Sequence, residues 1–426
     1  MAREKMSLLR PSTALRRRYR RDRLFLLAGR LAVLASFSTI GLIFLAILYT
    51  SLPAFTQSCI RLPVHFEETA FSDENIDRAN YDLLVAQALA RVIPGVTDPG
   101  EKADLLGMMS PGAAWQLQRM VDSNPKRIGT VEQLWLPANA DIDMLRKGKF
   151  DRTTPERLRR LSRLQLKWYD QLNAEGRIKR HFNRVFFTAS NSTEAELAGI
   201  YGAVKGSLLT MFITLVLSFP LGAGTAIYLQ EFAPRNRLTT TINVTISNLA
   251  AVPPILYGLL GLAVFINLFH LPRATPLVAG MVLSLMTFPT IIMASRNALA
   301  AVPRSVCDAA LALGASRMQS ITHHILPAAM PGILTGTLLG LAQAFGECAP
   351  LLMLGMVAFV GNVPAGITDP ATVLPMQIYL WADNPGQGFP EKTAAAIVIM
   401  MLFLVIVNTV VLWLRRKFEN SHPHTS

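Results

Sequence analysis

The sequence predicts an all-α polytopic membrane protein of six transmembrane helices, with a hydrophilic domain, α+β or mostly helical, inserted after the first helix. Three observations predict it. The 426 residues are 51% hydrophobic with a mean hydropathy of +0.35, too apolar for a soluble chain and too polar to lie in lipid throughout. Apolar runs of at least about 18 residues, long enough to cross a bilayer core, fall at about 24–50, 205–230, 239–269, 275–296, 330–360 and 393–414. The basic residues crowd at the ends of these runs: Arg16, Arg17, Arg18, Arg20, Arg21 and Arg23 before the first, and Arg415, Arg416 and Lys417 after the last. That bias marks the cytoplasmic side, so both termini are expected inside and the net charge of +13 needs no nucleic-acid partner.

Residues 1–23 form a basic cytoplasmic N-terminus, and 24–51 the first transmembrane anchor. Its apolar run exceeds the roughly 7–15 residues of a signal peptide, which favours an uncleaved anchor. Residues 52–204 form a hydrophilic extracytoplasmic domain. Helices are expected at 79–92, at 112–122 opened by Ser110-Pro111, and after Thr154-Pro155-Glu156, where Leu158, Leu161, Leu164, Trp168 and Leu172 share a face. Strands are expected at 129–136 and 181–188. The basic run at 157–163 reads as a solvated helix face, or else a docking surface. The domain carries no metal-ligand spacing, phosphate-cradling glycine loop or nucleophile elbow. The membrane core runs over 205–417, with a cytoplasmic loop at about 297–330 and a tail at 418–426. Pro220, Pro253, Pro254, Pro289 and Pro350 lie in or beside spans, where the backbone groups they free need a neighbouring helix or a watery cavity. Cys59, Cys307 and Cys348 fall outside, inside and within a span, so no pair can form a disulfide.

Within the 297–330 loop stands Asp308-Ala309-Ala310-Leu311-Ala312-Leu313-Gly314, followed by Leu326-Pro327. This resembles the EAA coupling loop of ABC-importer permeases, with Asp308 in place of Glu and His324 at a usually branched position. The resemblance implies a type I ABC-importer permease fold and makes Asp308, Ala309, Ala310, Gly314, Leu326 and Pro327 the segment that docks on a separate ATPase. The chain has no P-loop of its own, consistent with ATP being used by a partner subunit and with no cofactor bound here.

Glu347 is the acid expected well inside a span, a costly position that is functional by default. Its setting, Phe345-Gly346-Glu347-Cys348-Ala349-Pro350-Leu351-Leu352, resembles the Gly-Glu-Thr-Ala-Pro-Leu-Leu signature of the A-type permease of phosphate importers, the PstA family. Gly206-Ser207-Leu208, Pro254-Ile255-Leu256-Tyr257-Gly258 and Leu374-Pro375-Met376-Gln377-Ile378-Tyr379 support the same family. Gln343 stands one helical turn before Glu347, where relatives often place Arg. Three ways of compensating Glu347 stay open: a basic residue of a companion permease, Arg296, or a proton. Gln343, Gly346, Glu347, Asn248 and Tyr257 are the candidate pathway residues, with Thr245, Ser247 and Thr290 as further candidate lining groups.

The resemblance covers about 200–417 and the first span. It implies a non-catalytic permease of a bacterial inner-membrane phosphate importer. The implied partners are a C-type permease subunit, a cytoplasmic ATPase dimer and a periplasmic phosphate-binding protein. The competing readings are a permease for another oxyanion such as molybdate or sulfate, or a membrane signalling or scaffold protein whose outer domain senses a ligand and whose inner loop recruits a regulator.

Overall fold

The computed structural model describes residues 13–67, 71, 79–357 and 359–421; the beginning of the basic N-terminus, 1–12, and the end of the tail, 422–426, lie outside the described residues. Helix α1 (Thr13–Ser51) is a continuous 39-residue helix whose most apolar window has no buried residue. From residue 51 onward the chain forms one compact unit.

The hydrophilic region is α+β. Its centre is strand β1 (Thr56–His65), flanked on both sides by antiparallel partners, β2 (Val131–Pro137) and β3 (Ile178–Phe182), in the order β2-β1-β3. Ile60, Leu62 and Val64 alternate along β1 and are fully buried, as a strand with one face on a core requires. That core is closed by helices α2 (Tyr81–Val92), α3 (Pro99–Leu106), α4 (Gly112–Ser123), α5 (Ala140–Arg146) and α6 (Arg163–Ala174), through Leu84, Leu89, Leu105, Leu117, Ile142, Trp168 and Leu172. The Cys59 thiol, half-buried on β1, is pushed up to about 12 by burial and then by the Asp143 charge.

Two local expectations are corrected. Thr154-Pro155-Glu156 opens only a 3-10 turn, Glu156–Leu158. The helix begins at Arg163, because Ser162 and Gln165 exchange side-chain and backbone hydrogen bonds as a capping box. The segment at 181–188 is not one strand. β3 ends at Phe182, and Asn183 accepts from the Phe186 N–H to start helix α7 (Arg184–Thr188).

In the membrane region, α8 (Tyr201–Ile227), α11 (Pro276–Ala300), α14 (Leu326–Gly346) and α17 (Phe389–Ser421) are long helices. Among the described residues five helices, α1 included, are long and apolar enough to cross a membrane, or six if a bent pair counts as one span. The bent pair is α9 (Arg237–Leu249) and α10 (Pro254–Gly261, continued as a π-helix to Leu268), which meet at 102°. The apolar run at 239–269 is therefore a broken element rather than one straight span; Pro253 and Pro254 lack the N–H groups that would carry a helix through. The run at 330–360 also divides. α14 stops at Gly346, Glu347 is extended (φ −86, ψ 118), and a short helix α15 (Ala349–Met353) follows. α14 packs on α11 by small residues: a methyl on Gly332 or Gly336 would come within 2.5 Å of Ala298 or Ala294, the close approach that lipid-embedded helices use in place of a hydrophobic drive.

A buried ion cluster fastens the hydrophilic region to the last span. Lys147 Nζ lies 2.6 Å from Asp143 Oδ2 and 2.5 Å from Glu391 Oε1, and all three side chains are at least nine-tenths buried. Lys149 reaches the other Glu391 oxygen at 3.2 Å. Asp143 Oδ1 accepts the Ser58 N–H of β1 at 2.9 Å, so sheet, α5 and α17 are joined through one carboxylate-ammonium chain. Removing one member of a buried set strands the others, at a cost of about 3–5 kcal/mol. Lys147→Met is expected to loosen the hydrophilic region, read as a lower melting temperature and earlier proteolysis between residues 147 and 163. Adding Glu391→Gln to it is expected to recover part of the loss, because two buried carboxylates then no longer flank the position that the Lys147 ammonium occupied.

Candidate translocation and coupling site

The loop between α11 and α14 folds as a helix-turn-helix. Helix α12 (Arg304–Ala312) follows Pro303, and α13 (Arg317–Ser320) is opened by a capping box of Ser316 and Gln319. Gly314 sits between them at φ +90, with open space where a Cβ would lie. Its glycine requirement is therefore conformational and not steric. The turn is closed by Ala315 N–H to Ala310 O at 3.1 Å and Gly314 N–H to Leu311 O at 3.0 Å, which satisfies the last carbonyls of α12. Asp308 and Ala309 are exposed and Ala310 is buried, while Leu326 and Pro327 are half-buried where α14 begins. Val306, Leu311, Met318 and Leu313 are exposed on the same loop, Leu313 to 90%. Arg317 ties the loop to the preceding connection: its guanidinium donates to the Glu231 carbonyl and lies 5.7 Å from the Phe232 ring centroid.

Glu347 stands at the break between α14 and α15, not inside a helix, and is half-buried; Gln343 and Gly346 are exposed. Among the described residues Glu347 has no ion pair within 4.0 Å. Arg296, one of its three possible partners, is committed elsewhere: its Nη1 donates to Asn243 Oδ1 at 2.7 Å. Tyr257 is buried, and its hydroxyl donates to the Leu249 carbonyl at 2.9 Å. It spans the bend between α9 and α10, and this hydrogen bond is where its one hydroxyl proton goes. Asn248 is exposed at the end of α9, as is Thr245 a turn earlier; Ser247 donates to its own helix at Asn243 O, 3.1 Å, and Thr290 is half-buried on α11.

Stretches that are far apart in sequence meet in pairs. Gly258 of α10 lies against the Glu347–Pro350 break, where a Cβ would come within 2.7 Å of the Pro350 Cα and carbonyl oxygen. Gly206 of α8 lies against Thr372 O, to which a Cβ would come within 2.1 Å. The neighbouring Ser207 Oγ accepts the Leu374 N–H at 2.8 Å. Helix α16 (Leu374–Ala382) has no side-chain cap from its own N-cap residue, Val373, so a serine from another helix supplies the acceptor. Sequence reasoning missed the polar contacts around Asn191, whose Oδ1 accepts from Gln377 Nε2 at 3.0 Å and Trp381 Nε1 at 2.9 Å. Gln377 within an otherwise apolar helix was the available signal.

Residues 201–420 match the family model of the binding-protein-dependent transport system inner membrane component. The chain belongs to that family. Residues 12–156 match a second model, a domain of unknown function (DUF3333), which ends before α6 and the third strand, β3. Among individual relatives of this permease, the probable ABC transporter permease protein YqgI of Bacillus subtilis (strain 168) is 29% identical over 54% of this chain and 82% of that protein. The phosphate transport system permease protein PstA 1 of Mycobacterium tuberculosis (strain CDC 1551 / Oshkosh) is 32% identical over 49% and 68%. Of solved structures, the inward-facing methionine transporter MetNI aligns over 51% of this chain and 97% of its own, at 19% identity and a TM-score of 0.40. As a multi-pass inner-membrane permease, the protein depends on its broken helices staying packed. Gly258→Val is expected to drive a branched side chain into the Pro350 backbone and lower thermal stability in detergent by an overpacking cost of about 1–3 kcal/mol; Gly346→Ala, which meets open space, is expected to change it far less.

Proposed function

We propose that this chain is the transmembrane permease subunit of an ATP-driven importer of inorganic phosphate. The carrying observation is the loop of α12 and α13, a capped helix-turn-helix that exposes Val306, Leu311, Leu313 and Met318 beside Asp308. An exposed apolar cluster rimmed by polar residues marks a protein-docking face, and the partner proposed for it is a cytoplasmic ATPase dimer that supplies the ATP hydrolysis this chain does not perform. Phosphate is favoured over molybdate or sulfate by the Gly346–Leu352 signature and by relatives named as phosphate transport system permeases. In this reading both termini and the loop are cytoplasmic, a C-type permease completes the pathway, and a periplasmic binding protein delivers the anion to the side bearing the hydrophilic domain.

Transport proceeds by alternating access: closure of the ATPases draws the docked loops together and shifts the spans from one open side to the other. Glu347 at the α14–α15 break, with Gln343 and Gly346 exposed beside it, faces the companion permease or the pathway, and the companion is the source of its counter-charge.

Two measurements test this. Gly314→Val places a branched residue at φ +90, a strain of about 1–3 kcal/mol. Membrane insertion is expected to be normal while copurification of a P-loop ATPase and ATP-dependent phosphate uptake are lost; uptake at the wild-type rate would remove the docking assignment. Glu347→Gln keeps shape and deletes charge, so the assembled complex is expected to be recovered intact while labelled-phosphate uptake falls at least tenfold, about 1.4 kcal/mol of lost stabilisation. Unlabelled sulfate or molybdate competing as well as phosphate would overturn the choice of substrate.

A further inference from the structure

Edge strand β3 and helix α7 carry an aromatic and basic patch that neither the fold nor transport explains. Phe182 is 64% exposed and Phe187 39% exposed. Phe187 stacks on Phe182 at 5.6 Å and on Phe55 at 5.8 Å, with interplanar angles of 7° and 11°. Arg180, on the same face of β3, and Arg184 are exposed near them, while Lys179 and His181 lie on the other face of the strand against Trp135; only Ile178 of β3 is buried. Two separate attachments fix the height of this patch. Phe182 is the register partner of Thr56, the first residue after the candidate span Arg17–Phe55. Ala189, which follows α7, accepts the N–H of Tyr201, the first residue of span α8, at 3.1 Å. The patch therefore lies beside the first turn of span α8 and is joined along the chain to the end of the first candidate span, where the headgroups of a bilayer would be.

We infer that β3 and α7 form an interfacial anchor that seats the hydrophilic domain on anionic phospholipid. Aromatic rings at this depth rest among the headgroups and upper acyl chains. Arg180 and Arg184 complement negatively charged headgroups, and attraction is worth about a fivefold change in binding for each basic residue. Arg180 also donates to the Arg146 carbonyl at 2.7 Å, which leaves Arg184 as the cleaner probe.

The test uses the full-length chain with the photocrosslinking residue p-benzoylphenylalanine at position 182 or 187, reconstituted in nanodiscs of phosphatidylcholine with or without phosphatidylglycerol. Position 131 serves as the control: Val131 is 58% exposed but pairs with His65 at the other end of β1, roughly 30 Å away at about 3.3 Å per residue. Lipid adducts are expected at 182 and 187 and not at 131, with phosphatidylglycerol enriched over its share of the bilayer. Arg184→Ala is expected to reduce that enrichment about fivefold. Adduct yields at 182 and 187 no higher than at 131, enrichment unchanged by Arg184→Ala, or adducts in native membranes that are to a second polypeptide instead of lipid would each overturn the assignment.

Discussion

A backbone N–H or carbonyl left unpaired at bilayer depth costs several kcal/mol, and the arrangement of the membrane half answers that constraint. The chain interrupts its helices at the bend between α9 and α10, at Gly346–Glu347, and in the segment leading to α16. At the first and the last of these, groups from a neighbouring element take up freed backbone, while the Glu347 N–H returns to Ala344 O of its own helix at 3.2 Å. Tyr257 takes up the Leu249 carbonyl, Ser207 accepts the Leu374 N–H, and Ala371 N–H reaches Ala274 O at 2.8 Å. Such contacts demand that backbones approach closely, which is why glycine stands at 206 and 258. Motifs scattered along the sequence are thus two halves of the same joints.

The hydrophilic region obeys a different rule, because it has water on one side and the spans on the other. Its sheet is ordinary in packing, but its base is charged. Asp143, Lys147, Lys149 and Glu391 form one chain, and beside it Lys392 Nζ donates to the Ala198 carbonyl at 2.6 Å and lies 5.5 Å from the Phe186 ring. Glu196 is buried next to this set, and burial raises its carboxyl above the ordinary carboxylate range. Charges with few solvent contacts hold position through direction and distance, so the junction selects one seating of the domain where apolar packing alone would permit several.

Much of this was legible in the residues. Hydropathy located the helices now seen at Tyr201–Ile227 and Pro276–Ala300 to within a few residues, and the glycine between two short loop helices was readable through the resemblance of 308–327 to the EAA loop. What hydropathy does not register is direction: an apolar window averages over Pro253-Pro254 or Gly346-Glu347 as though the helix continued, so both breaks passed as spans. The central strand β1 was missed because it follows the first span so directly, though Ile60, Leu62 and Val64 carried a clear period of two. Ser162 and Gln165 spelled a capping box that the nearby Thr154-Pro155 obscured. The partner of Glu347 could not be read from one chain in either form, since Arg296 is bound to Asn243.

The ion cluster has one more consequence, for what counts as a separable part. A domain inserted in a loop is usually treated as a module that can be cut out or grafted, on the premise that its boundary is two peptide bonds. Here the boundary also passes between Lys147 and Glu391, so excising the domain leaves a bare carboxylate in the first turn of the last span. Any permease stripped of its insert would carry a second lesion that no sequence alignment displays, and a recipient of the transplanted domain would need its own acid at the start of that helix.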